Sequence, residues 1–232
     1  MKLAALFTGG KDSTYAIYLV QKQGHEIVCL ITVQSENQDS YMFHTPAIEL
    51  TELQAEAMEL PHIVGSTEGE KEKELVDLKE IIMAVKSKFK FEGVLTGALF
   101  SEYQSSRIKK ICVDLGLKCL SPLWHKKQEE EIQELLDHKF EIIFTAVAGE
   151  GLTKNWLNKV INYEDLKKLK ELNKKNGLNI AGEGGEFESL VLDCPIFKKR
   201  LVIEKFAIKE ENEYTARMAV KKARLEKKSK QK

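Results

Sequence analysis

Two periods of apolar residues run through the first half of the chain. The block Leu3-Ala4-Ala5-Leu6-Phe7 predicts a buried strand over residues 2–7, and an amphipathic stretch over 13–23, closed by Gly24, predicts the helix after it. Residues 26–33 are rich in β-branched side chains and predict a second strand. Beyond a polar loop over 34–46, Ile48, Leu53 and Ala57 recur at helical spacing. Pro61 ends that helix, and 62–65 predict a short third strand. Leu75, Leu78, Ile82 and Val85 mark one face of a long helix over 70–89, and the Glu and Lys residues at 70–74 read as its solvated face with local ion pairs. A strand over 93–97, a helix over 105–115 and a strand over 117–120 continue the alternation. This order predicts an α/β fold with a doubly wound parallel sheet and right-handed crossovers. Ligands of such sheets bind beyond the carboxyl ends of the strands, so the loops after 7, 33 and 97 are expected to share one cleft.

Ser121-Pro122-Leu123-Trp124 interrupts the pattern, and a domain boundary is expected near Pro122. Beyond it the chain reads as a smaller α+β domain over 123–212. Its predicted elements are a helix over 128–138, a strand over 141–147, a glycine turn at Gly149 and Gly151, a helix over 163–175, and strands over 189–192 and 200–208. In the segment 213–232, Ala216, Met218 and Val220 alternate with polar residues. That suits the second strand of a hairpin, with a basic helix as the alternative.

Composition narrows the class. The chain has 232 residues, 43% hydrophobic and 31% charged, as in a globular protein with ample core. No apolar run approaches the roughly 18 residues of a membrane span, and the N-terminal run reads as a strand and not a signal peptide, so a cytoplasmic protein is expected. The four cysteines, Cys29, Cys112, Cys119 and Cys194, show no metal-ligand spacing and read as reduced thiols. A formal net charge of zero argues against a generally basic nucleic-acid binder. Charge is uneven, however: from Thr215 to Lys232 eight basic residues face Glu226 alone. Such a tail suits RNA, a ribosomal partner or an acidic protein, with a solvated end as the preferred reading. Oligomeric state is left open, a homo-oligomer included.

Candidate chemistry begins at Thr8-Gly9-Gly10-Lys11-Asp12-Ser13, between the first strand and the first helix. A strand–helix junction points backbone N–H groups and the positive end of the helix dipole at one spot, which suits an anion. The common phosphate loop needs Gly, four residues, then Gly-Lys-Ser/Thr; here Ala5 holds the first position and Asp12 follows Lys11. The run instead resembles the pyrophosphate-binding loop (PP-loop) of the adenine-nucleotide α-hydrolases, which cut ATP between the α and β phosphates and transfer AMP.

A second unusual run is Gly182-Glu183-Gly184-Gly185-Glu186-Phe187-Glu188-Ser189. Clustered carboxylates among glycines suit a cation, a substrate ammonium or a general base, with an exposed acidic turn as the plain alternative. This run, continuing to Pro195, resembles the signature of one branch of those enzymes, the diphthine–ammonia ligase family. The stretches Asp39–Thr45 and Gly97–Arg107 agree, and the resemblance extends through Pro122-Leu123-Trp124 to about Leu201. Two positions depart from the family pattern: Thr8, where many relatives carry Ser, and Glu102, where Asp is equally expected.

The resemblance implies ATP-dependent amidation of diphthine on translation elongation factor 2. The diphthine carboxylate attacks the α phosphate, and free ammonia displaces AMP from the acyl-adenylate. It implies that residues 1–122 bind ATP and 123–212 recognise substrate. Thr8, Gly9, Gly10, Lys11, Asp12, Ser13, His44 and Gly97 would contact the nucleotide, with Lys11, Asp12 and Glu186 catalytic and Asp12 on Mg²⁺. Ser101, Glu102, Tyr103, Gln104, Glu183, Gly184, Gly185, Glu186 and Glu188 would contact substrate. Glutamine-using relatives carry an N-terminal cysteine or a separate glutaminase domain, and with Met1-Lys2-Leu3 at the start free ammonium is the expected donor. The alternatives are another adenylating enzyme (an NAD synthetase-like amidase, a tRNA modifier or a small-molecule salvage enzyme) and a non-catalytic ATP-binding module.

Overall fold

The computed structural model describes residues 1–35, 37, 50–70, 72–98 and 102–228, with the side chains of 102–104 outside that description. The chain divides into two units. Met1–Thr8, Asp12–Glu56 and Leu60–Trp124 make one; Gly9–Lys11, Ala57–Glu59 and His125–Lys232 make the other.

The first unit is built on a parallel sheet of β1 (Lys2–Leu6), β2 (Glu26–Ser35), β3 (His62–Thr67), β4 (Gly93–Leu95) and β5 (Lys118–Leu120), in the order β3-β2-β1-β4-β5. Leu3 of β1 sits opposite Ile27 on one side and Gly93 on the other. Leu3, Ala4 and Ala5 are wholly buried, which is why this strand reads as a continuous apolar block. The connecting helices are α1 (Lys11–Lys22), α2 (Thr51–Met58), α3 (Lys73–Phe89) and α4 (Glu102–Asp114). The chain steps from β1 to β2 and β3, then returns past β1 to β4 and β5. Right-handed crossovers consequently place α1 and α2 on one face and α3 and α4 on the other. On the latter face Ala4, Cys29, Ile31, Val33 and Val94 pack with Leu78, Ile82 and Val85 of α3 and Ile108, Ile111 and Cys112 of α4.

Helices α3 and α1 differ locally from the sequence expectation. Glu74 is wholly buried, although Glu70 and Glu72 are exposed and paired with Lys73 and Arg107. Glu74 lies four residues before Leu78, so it shares the inward stripe of α3. Helix α1 starts at Lys11 and not at 13, with Asp12 in the first turn where a carboxylate suits the helix dipole.

The second unit holds an antiparallel sheet of β6 (Glu141–Ala148), β7 (Phe187–Asp193), β8 (Lys199–Asn212) and β9 (Thr215–Lys227), in the order β7-β6-β9-β8, with helices α5 (Gln128–Asp137) and α6 (Tyr163–Asn176). Asn162 and Asp165 form a capping box at the start of α6, satisfying helix N–H groups that have no partner within the helix. The Phe144 ring of β6 stacks on Phe187 at 3.9 Å between centroids. The chain end up to residue 228 is not a solvated tail. β9 pairs with both β6 and β8, burying Ala216 and Met218, and Lys228 donates to the Cys194 carbonyl at 2.7 Å and pairs with Asp193 at 2.5 Å. The hairpin, and not the basic helix, is formed, and the strand alternation sends Ala216 and Met218 to the core while their neighbours Arg217 and Ala219 face outward. Among the described residues no helix is long and apolar enough to cross a membrane.

Candidate active site

In the order β3-β2-β1-β4-β5 the chain reverses direction between β1 and β4, which is where an open parallel sheet leaves a crevice. The loop after β1 is held straight beyond the strand. Phe7 N–H donates to the Ile31 carbonyl at 2.8 Å, and the Thr32 hydroxyl donates to the Phe7 carbonyl at 2.7 Å. Thr8 N–H then donates to Ser13 Oγ at 3.3 Å, and the two hydroxyls lie 3.2 Å apart. The loop after β4 closes on the same place. A Cβ added at Gly97 would lie 2.6 Å from Ser13 N and 2.7 Å from the Asp12 carbonyl carbon. Only glycine permits that approach of backbone to the helix start. Thr8, Asp12, Ser13 and Gly97 are thus brought together at the switch point of the first unit. The loop after residue 33, expected in the same place, lies mostly outside the described residues.

Gly9–Lys11 belong to the second unit, where they run along the edge of β7 that does not face β6. Val191 N–H donates to the Gly9 carbonyl and Lys11 N–H donates to Ser189 Oγ, each at 3.1 Å. The first signature is therefore hydrogen-bonded to the last residue of the second. Lys11 is not an exposed point charge. Its ammonium donates to Glu131 Oε1 of α5 at 2.9 Å, with the two side chains 2% and 0% exposed. A charge so deeply buried persists only with a counter-charge.

Glu131 belongs to neither signature and stands 120 residues from Lys11. A signal existed nevertheless. In Gln128–Asp137 it stands four residues before Leu135 on the helix's buried stripe, and a carboxylate there calls for a buried cation.

The second signature forms a tight turn leading into β7. Gly182 and Gly185 take φ of 78° and 85°, which glycine adopts without strain. The Glu186 carboxylate folds back onto this turn: Oε1 accepts from Asn179 N–H at 3.1 Å and Oε2 from Gly184 N–H at 2.8 Å. A Cβ at Gly184 would lie 2.7 Å from that carboxylate. The arrangement satisfies two turn amides with charge-assisted bonds, so Glu186 has a structural task in its own loop. Glu183 and Gly185 are exposed, and Glu188 is half-buried on β7. Among the described residues no group of three or more His, Cys, Asp or Glu side chains is arranged to hold a metal ion. His44 and Ser101 lie outside the described residues. Glu102, Tyr103 and Gln104 form the first turn of α4, their side chains outside the description.

A cysteine pair and His62 carry perturbed acidities. The Cys112 thiol donates to Cys119 and holds the Cys119 thiol down to about 7 against the effect of burial, with Ser121 and the Lys109 charge assisting. Cys112 is raised by the same bond and by burial. His62 is held below its ordinary value by burial, with Glu52 opposing. Its Nε2 lies 2.8 Å from Thr32 Oγ1, whose proton goes to the Phe7 carbonyl, so the neutral ring donates from Nε2.

Comparison with known proteins adds an independent line. The model of the diphthamide synthase N-terminal domain matches residues 1–119, and that of the diphthamide synthase C-terminal domain matches 127–226. The diphthine–ammonia ligase of Rattus norvegicus is 38% identical over 226 residues, covering 88% of this chain and 83% of the rat protein. That of Homo sapiens is 36% identical over 226 residues, with the same coverages of 88% and 83%. Among solved structures, a predicted subunit of tRNA methyltransferase from Methanocaldococcus jannaschii is similar with a TM-score of 0.42 and 16% identity, covering 84% of this chain and 98% of that one. With both domain models matched in order and relatives aligned over most of their length, the chain belongs to the diphthamide synthase family of diphthine–ammonia ligases.

Proposed function

We propose that this protein is an AMP-forming carboxylate–ammonia ligase that converts diphthine on translation elongation factor 2 to diphthamide. A carboxylate is a poor acyl donor. Its oxygen attacks the α phosphorus of ATP and releases pyrophosphate; ammonia then attacks the acyl carbon, loses a proton, and AMP departs with the C–O electron pair. The observation that carries this reading is the bond from Lys11 N–H to Ser189 Oγ, which joins the nucleotide loop to the family's second signature.

In this reading residues 1–122 bind nucleotide and 123–212 present substrate, with β9 (Thr215–Lys227) completing the second sheet. Thr8, Gly9, Gly10 and Ser13 hold the phosphates at the positive end of α1, and Lys11 stabilises charge as pyrophosphate leaves. Gly97 keeps the β4 loop against that helix start. His44, Ser101, Glu102, Tyr103 and Gln104 recognise nucleotide or substrate. Glu186 organises the turn that presents Glu183, Gly184, Gly185 and Glu188. The donor set fits a Mg²⁺ carried in by the nucleotide, since such ions take one or two carboxylates and complete their shell with phosphate and water oxygens. Asp12 is the carboxylate that would hold it, and the ion would neutralise phosphate charge.

The test is mass spectrometry of diphthine-bearing elongation factor 2 after incubation with the protein, ATP, Mg²⁺ and ammonium, with nucleotides analysed in parallel. The expected result is conversion of the acid to the amide and formation of AMP, each requiring every component. ADP in place of AMP, or an unmodified factor, would overturn the proposal.

A further inference from the structure

Lys11 is held at both ends by residues remote in sequence. Its backbone N–H is bonded to Ser189 of β7 and its ammonium to Glu131 of α5. Neither contact has a local cause, since they span 178 and 120 residues. Stability is a poor explanation for the second one. A buried ion pair is commonly no better than an apolar pair of the same volume, and the neighbours of Glu131 on α5, Ile132 and Leu135, are already wholly buried. A carboxylate in that stripe is better explained by what it does to the lysine.

We propose that Glu131 is a positioning residue for the ligase reaction: it confines the Lys11 ammonium, so that the charge meets the phosphates in one geometry. This rests on the ligase reading of the loop. The Ser189 hydroxyl fixes the main chain of the same residue, so the lysine is clamped between α5 and β7. A flexible four-carbon side chain otherwise spreads its charge over many rotamers, and a displacement of about 1 Å at a reacting centre costs as much as 100-fold in rate.

The test compares wild type, Glu131→Gln and Glu131→Asp in steady-state AMP formation with diphthine-bearing elongation factor 2. The Gln variant is expected to lose roughly 10- to 100-fold in kcat while KM for ATP changes by less than about 3-fold, because positioning acts on the transition state. The Asp variant, which keeps the charge, is expected to recover part of the loss. A second measurement needs no turnover: reductive methylation of Lys11, read by peptide mass spectrometry, is expected to be slow in the wild type and faster in Glu131→Gln. An unchanged kcat in Glu131→Gln, a loss that Asp does not relieve, or equal labelling of Lys11 would each overturn the clamp. If the wild type itself forms no AMP, the ligase reading fails, and the labelling alone decides whether Glu131 confines Lys11.

Discussion

Replacing Gly97 by Ala tests the geometry of the switch point directly. The added methyl would stand 2.6 Å from Ser13 N, 2.7 Å from the Asp12 carbonyl carbon and 2.9 Å from the Asp12 carbonyl oxygen. All three are backbone atoms, so no side-chain rotation relieves the clash. Ordinary contact lies near 3.5 Å, and the first turn of α1 must therefore retreat by about 0.9 Å. Overpacking of this kind costs about 1–3 kcal/mol, which in a chain of this length lowers the thermal midpoint by roughly 2–12 °C. The functional effect is expected to be larger than the stability effect. A loss of about 100-fold in kcat/KM for ATP follows if the helix start must lie within an ångström of its place. Thermal melts of Gly97→Ala, paired with AMP formation measured well below the melting range, separate the two effects. A folded variant that forms AMP at the wild-type rate would refute the argument that β4 must touch α1 for the phosphates to be held.

Other consequences can be checked separately. Lys11→Ala removes the ammonium paired with the buried Glu131 carboxylate and should cost about 3–5 kcal/mol; denaturant titration should show most of it restored by adding Glu131→Leu, with AMP formation still lost. Glu186→Ala removes the acceptor of two turn amides and should cost about 1–3 kcal/mol. Amide hydrogen exchange should quicken at Asn179 and Gly184, and unaltered protection at both would refute the structural role. Alkylation of Cys119 should rise with pH around a midpoint of about 7, and Cys112→Ala should move that midpoint upward, since the donated S–H is the main cause of the low value. His62 is depressed in the folded state, so the unfolded chain takes up its proton first as pH falls below about 6.5. Its contribution to stability is complete above that pH and is lost as pH drops toward the folded value. Urea midpoints of His62→Gln should fall less steeply across that window, and identical slopes would exclude it.

Much of the fold was legible because its causes are local. The buried block at Leu3–Phe7, the inward stripe Leu78-Ile82-Val85 and the alternation Ala216-Met218 each announce their element through a spacing of a few residues. The order of strands and helices then restricts the topology through crossover handedness. The candidate nucleotide loop was equally visible, since its six residues are consecutive. Glu74 shows where local reading failed: a charged residue near a helix start looks solvated until its stripe is followed inward.

Contacts that join distant segments were beyond such reading. Gly97 reads as the end of a strand, and only the pairing of β4 beside β1 reveals that it must be glycine because a helix start lies against it. Glu186 reads as a catalytic or metal carboxylate, whereas the turn around Gly184 spends both of its oxygens on backbone amides. Glu131 lies in a predicted helix with no motif to mark it, and becomes the partner of Lys11 only once α5 has packed. The alphabet and spacing of the chain determine which segments are strands, which are helices and which can hold an anion. Which charge meets which is decided by tertiary packing, because a buried ion has to find its counter-ion wherever the fold brings one.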